Sequence, residues 1–372
     1  MKIATEIGWA HKSGGARRVA INTLLEMVKL RPDNQYIVYS NCELVEFNNA
    51  GVHQNVFSRP CLVPQVVWDQ FLFPHLALSS ALRKDKPDVI HFTNNIVSYF
   101  GSVPAVVTIH DMLPFVLPES FVSLHGAYQR AYFKYAVKKA KKIITDSENS
   151  KTDICRILQV KEEKIKVIPL GTNLSTKHID DNLISKQIKE LCISKPFILY
   201  AGAIHPRKNI GRLIEAFSNL KREKKIPHVL VIAGVFRWKK NDSINTESFD
   251  SIKDDVVFTG RVNDEELISL YKQCDVFVYP SLYEGFGLPV LEAMSFGAPV
   301  VTSNTSSLPE VAGDGAVLVD PENIGEIAEG IFKIIDNRTF AELLRNKGKE
   351  RAALFSWENT TQKVLDVLES VV

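Results

Sequence analysis

The chain has 372 residues, of which 45% are apolar and 24% charged, and its formal net charge is +2 at pH 7. A single hydrophobic core rarely grows beyond about 250–300 residues, so this length predicts two domains. The near-neutral charge argues against a nucleic-acid-binding protein, which usually carries a strong basic excess.

The cysteines and the N-terminus both predict a cytoplasmic protein. A glutamate, Glu6, stands where a signal peptide would be apolar, and no apolar run reaches the roughly 18–20 residues of a membrane-spanning helix. Docking on a membrane surface stays open. The scattered cysteines contain no C-x-x-C pair, which indicates a reducing compartment and no zinc site: Cys42, Cys61, Cys155, Cys192 and Cys274.

Short, β-branched apolar runs alternate with helical patterns in the first half of the chain. Alternation of this kind predicts a doubly wound parallel sheet. The predicted strands are Lys2–Ile7, Tyr36–Tyr39, Val89–Phe92, Val103–Ile109, Lys142–Thr145 and Lys166–Ile168. The clearest helices are Ala16–Leu30 and Gly126–Lys141.

A polar stretch at Thr172–Ser194 has no strand signal and is interpreted as the domain linker. The alternation then restarts and predicts a second parallel sheet. Its strands are Phe197–Ala201, Val229–Ala233, Val256–Phe258, Val276–Tyr279, Val300–Thr302 and Ala316–Val319. Its helices are Asn209–Leu220, Asp264–Gln273, Pro289–Phe296 and Ile324–Asp336, and a last helix is predicted at Trp357–Val371.

The stretch from Tyr283 to Met294 carries the most chemistry. Its two glycines, Gly285 and Gly287, precede a helix that Pro289 opens, so backbone N–H groups and the helix dipole favour an anion there. Glu284 lies in the loop and Glu292 about one turn into the helix, so both carboxylates can face one cleft and accept bonds from sugar hydroxyls. The alternative is a glycine turn with two solvated glutamates.

The stretch from Tyr200 to Asn209 places two cations at a strand end. Arg207 and Lys208 follow the strand that ends near Gly202, and no acidic residue is close to them in sequence. Ligands bind at such strand ends in open α/β sheets, and these side chains suit phosphate oxygens. The alternative is a solvated basic loop.

Two N-terminal segments are more ambiguous. His110 follows an apolar run and is either a ligand for a substrate hydroxyl or a core histidine held by Asp111, and taken alone the core interpretation is favoured. Gly8 and the run Ser13–Ala16 do not fit G-x-G-x-x-G, so they indicate either a mobile loop over a ligand or a plain connection.

Together these motifs resemble the large retaining glycosyltransferase family 4, over nearly the whole chain and most strongly from Phe197 to Pro321. Glu284 and Glu292 match its E-x7-E motif, and Gly202–Lys208 match its phosphate loop. Ser306–Val311 and Phe258–Val262 match two further landmarks, while His110 and Gly14-Gly15 match residues on the N-terminal side.

The resemblance implies the α/β GT-B fold, in which two Rossmann-like doubly wound parallel-sheet domains face a cleft. The N-terminal, acceptor-side domain would span residues 1–174, with the helix at 357–372 crossing back, and the C-terminal, nucleotide-sugar-binding domain would span residues 190–356.

The resemblance also assigns roles to residues. The implied catalytic group is His110, Glu284, Arg207 and Lys208. Arg207 and Lys208 would bind the donor diphosphate, and Glu292 the ribose. Glu284, with the N–H groups of Phe286, Gly287 and Leu288, would hold the donor sugar, as would His110 and the Gly14-Gly15 loop. Gly202 belongs to the phosphate loop, and the backbone of Arg261 and Val262 would meet the base.

The cations and the helix N-terminus can neutralise the leaving diphosphate without a metal, and the sequence contains no D-x-D motif. No cofactor or metal is therefore expected. The resemblance implies retention of configuration by a same-face, oxocarbenium-like route. The donor is expected to be a nucleotide sugar. The His110–Pro118 region, which resembles mannosyl- and rhamnosyltransferases, favours GDP-mannose over a UDP-sugar and a glycan or lipid-linked acceptor.

Other classes remain open at this point. A GT-B-shaped sugar-nucleotide epimerase shares the fold but differs in motifs, and a non-catalytic sugar-nucleotide-binding protein would share the donor site. A Rossmann oxidoreductase lacks support because the glycine fingerprint is absent.

The segment Gly126–Lys142 predicts one helix with a basic face. Arg130, Lys134, Lys138 and Lys141 recur on this face, with tyrosines on another, so peripheral contact with an anionic membrane is possible. The alternative is that the tyrosines, Tyr128, Tyr132 and Tyr135, pack on the sheet and the lysines are solvated.

Overall fold

A computed structural model describes residues 1–7, 15–59, 73, 75–95, 97, 103–120, 123–172, 180–193, 196–235 and 249–372. The chain divides into two compact units: the first comprises Met1–Gly171 with Ser356–Val372, and the second Thr172–Phe355. Each unit is built on one parallel sheet flanked by helices, which confirms the predicted fold class. The predicted glycine loop lies largely outside the described residues, and Gly14 is one of the residues not covered.

The first unit contains a seven-stranded sheet in the order β3-β2-β1-β4-β5-β6-β7. All neighbouring strands in it are parallel. The strands are β1 Lys2–Glu6, β2 Gln35–Ser40, β3 Val52–Val56, β4 Val89–Phe92, β5 Ala105–Thr108, β6 Lys142–Thr145 and β7 Ile165–Val167. The helices before the unit boundary are α1 Gly15–Leu30, α2 Leu78–Asp85, α3 Leu113–Val116, α4 Ser123–Lys139 and α5 Glu148–Leu158.

Alternate residues of these strands enter two separate cores, because successive side chains in a strand point to opposite faces. Val107 packs in the core that includes Phe133 of α4. Val106 packs in the other core, which includes Leu24 of α1 and Leu365 of the last helix. The last helix therefore belongs to the first unit.

The second unit contains a six-stranded parallel sheet in the order β10-β9-β8-β11-β12-β13. The strands are β8 Phe197–Ala201, β9 Val229–Ala233, β10 Val256–Gly260, β11 Val276–Tyr279, β12 Val300–Ser303 and β13 Ala316–Val319. The helices of the second unit are α6 Asp181–Glu190, α7 Ile210–Asn219, α8 Asp264–Gln273, α9 Leu288–Ser295, α10 Leu308–Ala312, α11 Ile324–Asp336 and α12 Arg338–Ala352. The final helix, α13 Trp357–Glu369, belongs to the first unit.

The stretch Thr172–Ser194, predicted to be a linker, contains the helix α6, so the prediction is wrong for those residues. Asp180 caps this helix by accepting a bond from the Asn182 backbone N–H. Ile184 is buried against Ile268 of α8, so the helix packs within the second unit. The few apolar residues of this polar stretch fall on one helical face, which a search for strands does not detect.

In both sheets the chain reverses its direction of winding, between β1 and β4 in the first and between β8 and β11 in the second. Loops that leave the carboxyl ends of strands on either side of such a reversal diverge and leave a crevice, which is where open α/β sheets bind ligands. These two positions therefore locate the candidate sites. Among the described residues, no helix is both long and apolar enough to cross a membrane.

Candidate functional site

The loop after β8 forms a tight turn that aims two cations at the β8/β11 reversal. Gly202 has φ +151° and Asn209 has φ +61°, so both ends of the turn use backbone conformations that most residues avoid. The Asn209 side-chain amide donates to the carbonyl oxygens of Pro280 and Pro321 at 3.1 and 2.6 Å. The turn is thereby tied to the loops that follow β11 and β13.

Arg207, Lys208 and Glu284 form a buried ion triad across this reversal. Arg207 Nη1 lies 2.7 Å from Glu284 Oε2, while Lys208 Nζ contacts Glu284 Oε1. Lys208 and Glu284 are only 7% and 6% exposed. No acidic residue is close to the two cations in sequence, but the fold brings Glu284 to both of them. Glu284 comes from the loop after β11, 76 residues away from Lys208.

The triad keeps Glu284 ionised and leaves a net positive charge. Burial alone would raise the pKa of Glu284, but the opposite charges of Arg207 and Lys208 lower it from 4.5 to about 2. Lys208 Nζ also contacts the hydroxyl of Tyr279 and lies 4.6 Å from its ring centroid. One buried and one half-buried cation opposed by a single carboxylate can attract an anion, since the residual positive charge is only partly solvated.

The loop that carries Glu284 is held by two serines that lie between β12 and α10. Ser306 has φ +55° and accepts a bond from the Glu284 backbone N–H at 3.1 Å. Ser307 Oγ lies 2.9 Å from the carbonyl oxygens of both Glu284 and Phe286. The sequence identifies Ser306–Val311 as a landmark without assigning it this role.

The same loop runs into α9, whose first backbone N–H groups lack partners within the helix. Gly287, at φ +113°, precedes Leu288, and a Cβ at Gly287 would lie 2.7 Å from Leu308 Cδ2. The backbone conformation therefore favours glycine at this position, and a Cβ there would also displace the Leu308 side chain. The arrangement places a helix N-terminus directly after the Glu284 loop, as the glycines in the sequence indicate.

The remaining second-unit candidates are less closely associated. Glu292 is 5% exposed, and its Oε2 accepts a bond from the Tyr271 hydroxyl at 3.3 Å, so its carboxylate is held by α8. Arg261 is exposed and, with Val262, follows the carboxyl end of β10. Arg261 and Val262 therefore lie at the end of a strand of the same sheet, whereas Glu292 lies within α9.

His110 in the first unit is held by Asp146 and not by Asp111. Its Nδ1 lies 2.7 Å from Asp146 Oδ2, and its Nε2 lies 3.1 Å from the Thr93 carbonyl oxygen. The Asp111 carboxylate instead accepts a bond from the Leu113 backbone N–H at 3.0 Å. The Thr93 side-chain hydroxyl donates to the Glu6 carbonyl oxygen. Thr93 thereby links His110 to the β1/β4 reversal.

Several residues of these sites are absent from the sequence-based predictions. Tyr279 and Asp146 each contact a predicted site residue that is distant in sequence, and Asn209 ties the turn that carries Arg207 and Lys208 to the loop after β13. Asp146 directly follows β6, so a search for polar residues at strand ends would have found it. In the described part of the chain no cluster of three or more histidine, cysteine, aspartate or glutamate side chains is placed to hold a metal ion.

Two family models together match most of the chain. Residues 13–176 match the model described as Glycosyltransferase Family 4, and residues 184–351 match Glycosyl transferases group 1. O-antigen chain mannosyltransferase B of Escherichia coli is 32% identical over 77% of this chain and 75% of its own. O-antigen chain mannosyltransferase RfbU of Salmonella typhimurium is 34% identical over 72% of this chain and 70% of its own.

A solved structure supports the fold. The crystal structure of Alr3699/HepE from Anabaena, in complex with UDP and glucose, superposes with a TM-score of 0.77 and covers all of both chains. Its sequence identity to this chain is 21%, so the likeness concerns the fold. The predicted GT-B architecture agrees with this neighbour.

The ion triad generates a prediction about acid stability. A carboxylate whose pKa is lowered from 4.5 to about 2 stabilises the fold above pH 4.5, and this contribution is lost as the pH falls towards 2. We expect Glu284→Gln to lower the free energy of unfolding at neutral pH by about 3 kcal/mol, because two buried cations lose their counterion. The deficit relative to wild type should shrink between these two pH values, as measured by chemical denaturation. The exposed Glu322→Gln serves as control, and a deficit that does not change with pH would contradict the account.

Proposed function

The chain belongs to glycosyltransferase family 4, and on that premise we propose that it is a hexosyltransferase of polysaccharide biosynthesis. It takes a hexose from a nucleotide-sugar donor, retains the anomeric configuration, and transfers the sugar to a glycan or lipid-linked acceptor. The observation that carries this proposal is the buried ion triad of Arg207, Lys208 and Glu284 beside the N-terminus of α9. This arrangement suits a diphosphate that gains negative charge as it leaves.

The proposed sugar is mannose, with GDP-mannose as the favoured donor and a UDP-sugar as the alternative. Support for mannose comes from relatives that are named O-antigen mannosyltransferases. Support for the alternative comes from HepE, whose structure contains UDP and glucose. The same relatives favour a growing surface polysaccharide as the acceptor.

Within the second unit, the proposed roles follow from position. Arg207 and Lys208 bind the diphosphate, whose arrival competes with Glu284 for both cations and frees that carboxylate for a sugar hydroxyl. The N–H groups of Phe286, Gly287 and Leu288 add partial positive charge at the start of α9. Two further contacts are made with the nucleoside part of the donor. Glu292 accepts bonds from the ribose, and the backbone of Arg261 and Val262 meets the base.

A panel of nucleotide sugars tests this function. The purified protein is incubated with GDP-mannose, UDP-glucose and UDP-galactose, with and without a mannan oligosaccharide, and the released nucleotide and the new glycan are both measured. Acceptor-dependent release of GDP from GDP-mannose is expected. Tight binding without release would favour a non-catalytic sugar-nucleotide-binding protein, and conversion of the donor sugar without transfer would favour an epimerase.

We predict that Arg207→Ala loses activity with little loss of stability. Arg207 is 20% exposed at its side chain, so its removal leaves a site that water can enter. Loss of one charge-assisted contact in the transition state should lower kcat by about 10²–10³. Lys208→Ala should lose as much activity and also some stability, since Lys208 is buried against Tyr279. The exposed Arg222→Ala is the control, and full activity of the Arg207→Ala, Lys208→Ala double variant would refute the role.

Activity should not require a divalent metal, because the two cations and the start of α9 supply the positive charge. We expect turnover to survive excess EDTA unchanged. Loss of turnover on chelation, with recovery on adding Mg²⁺ or Mn²⁺, would show that the electrostatic account of the leaving group is wrong.

A lysine groove on the first unit is the proposed contact with an anionic membrane. The helix α4 ends at Lys139, three residues before the predicted end, and Tyr132 is 3% exposed, so this tyrosine packs inside as the alternative interpretation expects. Lysines gather on the last turns of α4 and in the segments that follow it. The groove is lined by Lys134, Lys138, Lys139, Lys141, Lys142, Lys161 and Lys164, with Glu163. It lies where β6 begins, at the sheet edge opposite His110, so a surface bound there leaves the His110 edge open.

We expect the protein to sediment with vesicles containing anionic phosphatidylglycerol at low salt and to be released at high salt, since charge attraction is screened. Charge reversal at Lys134, Lys138 and Lys141 should abolish sedimentation and spare turnover of a soluble acceptor. Reversal of Lys84, Lys189 and Lys363, which are exposed outside the groove, is the matched control. Wild-type protein that ignores these vesicles at low salt would contradict the proposal.

A further inference from the structure

Both ring nitrogens of His110 face hydrogen-bond acceptors. Nδ1 lies 2.7 Å from the Asp146 carboxylate, and Nε2 lies 3.1 Å from the Thr93 carbonyl oxygen. A carbonyl oxygen can only accept, so Nε2 carries a proton. An ionised carboxylate can also only accept, so Nδ1 carries a second proton unless Asp146 itself is protonated.

The charged groups around the ring favour the protonated imidazole. Burial lowers the pKa of His110, but the adjacent Asp146 carboxylate raises it above its ordinary value, and Asp111 adds to this. His91 of β4 lines the same cavity as His110. Burial and the charge of His110 lower the pKa of His91 to about 3, so it adds no second positive charge.

Burial raises the pKa of the Asp146 carboxyl, and the charge and hydrogen bond of His110 oppose this rise. Asp146 is 3% exposed, and its Oδ1 has no protein partner among the described residues. This side chain lines a cavity of about 20 Å³ together with the polar side chains of Thr5, His91 and Thr93. A polar cavity of this size can hold one water molecule, which would solvate the second carboxylate oxygen.

We propose that Asp146 keeps both ring nitrogens of His110 protonated and fixes the ring, with Nε2 donating to the Thr93 carbonyl oxygen. Asp146 is then a positioning residue, and His110 is a cation in the working enzyme. The role of this cation in the working enzyme rests on the proposed function, whereas the protonation state of His110 does not. A histidine protonated at both nitrogens cannot take the acceptor's proton, so another group must accept it.

The alternative has the same number of protons but places the shared one on Asp146. His110 would then be neutral, with Nδ1 as an acceptor. Such a histidine could become a base if it turned away from Thr93. The two forms therefore predict different chemistry and different spectra.

The decisive measurement is nuclear magnetic resonance of protein labelled with ¹⁵N-histidine, in which protonated and unprotonated ring nitrogens have well-separated shifts. The His110→Gln variant identifies the His110 signals. We expect two protonated nitrogens on wild-type His110 at about pH 7, although the ordinary pKa of histidine is about 6.5. One unprotonated nitrogen at that pH would overturn the proposal, whether or not the protein proves to be a transferase.

Two variants separate the effect of Asp146 from that of its neighbour. Asp146→Asn removes the charge at nearly constant shape, so His110 should lose one proton at about pH 7. Asp111→Asn is the matched control, because Asp111 is adjacent in sequence but bonds to Leu113, and it should leave both nitrogens protonated. Identical spectra for the two variants would refute the assignment to Asp146.

The pH dependence of turnover links protonation to function. A raised pKa means that the protonated form is present below that pKa and is lost as the pH rises through it. Wild-type kcat should therefore decline on the alkaline side, and the decline should move to lower pH much further in Asp146→Asn than in Asp111→Asn, since Asp111 is the smaller cause of the raised pKa. If the spectra show the expected protonation but the pH profiles of Asp146→Asn and Asp111→Asn coincide, then His110 is protonated as proposed and its protonation does not affect turnover.

Discussion

The Glu284 carboxylate holds two cations across the point where the second sheet reverses direction, and the local structure of the site depends on this contact. Burying these charges is costly, and the cost is offset only when the partners meet in good geometry. The surrounding loops supply that geometry. Asn209 ties the cation turn to two neighbouring loops, and Ser306 and Ser307 bind the backbone around Glu284. The excess of one positive charge then makes the site receptive to an anion.

The first unit applies the same topological principle with different chemistry. Thr93 bridges the ends of β4 and β1, and its carbonyl oxygen holds the ring of His110. Asp146, at the end of the neighbouring strand β6, fixes the other side of the ring. In both units, residues far apart in sequence meet because parallel strands bring their carboxyl ends to one edge. The second unit gathers charges of opposite sign in the proposed phosphate site, whereas the first holds a single ring in a defined orientation.

The sequence predicts the sheets well because buried parallel strands are short, β-branched and apolar on both faces. Val89–Phe92 and Val276–Tyr279 were predicted with the bounds that the structure shows. The strand β3 was missed because its residues, Val-His-Gln-Asn-Val, are mostly polar at the sheet edge. The helix Asp181–Glu190 was missed because its stability comes from packing against α8, which local composition does not reveal. Motifs located the candidate residues, but pairings such as Lys208 with Glu284 depend on contacts that only the fold creates.

If the ion triad binds the donor diphosphate, a crystal structure of the protein with a bound nucleoside diphosphate will show this contact. We expect a phosphate oxygen within about 3.2 Å of both Arg207 and Lys208, with the Glu284 carboxylate released from at least one of the two cations. A diphosphate bound elsewhere, with both cations still held by Glu284, would show that the triad is not the diphosphate site.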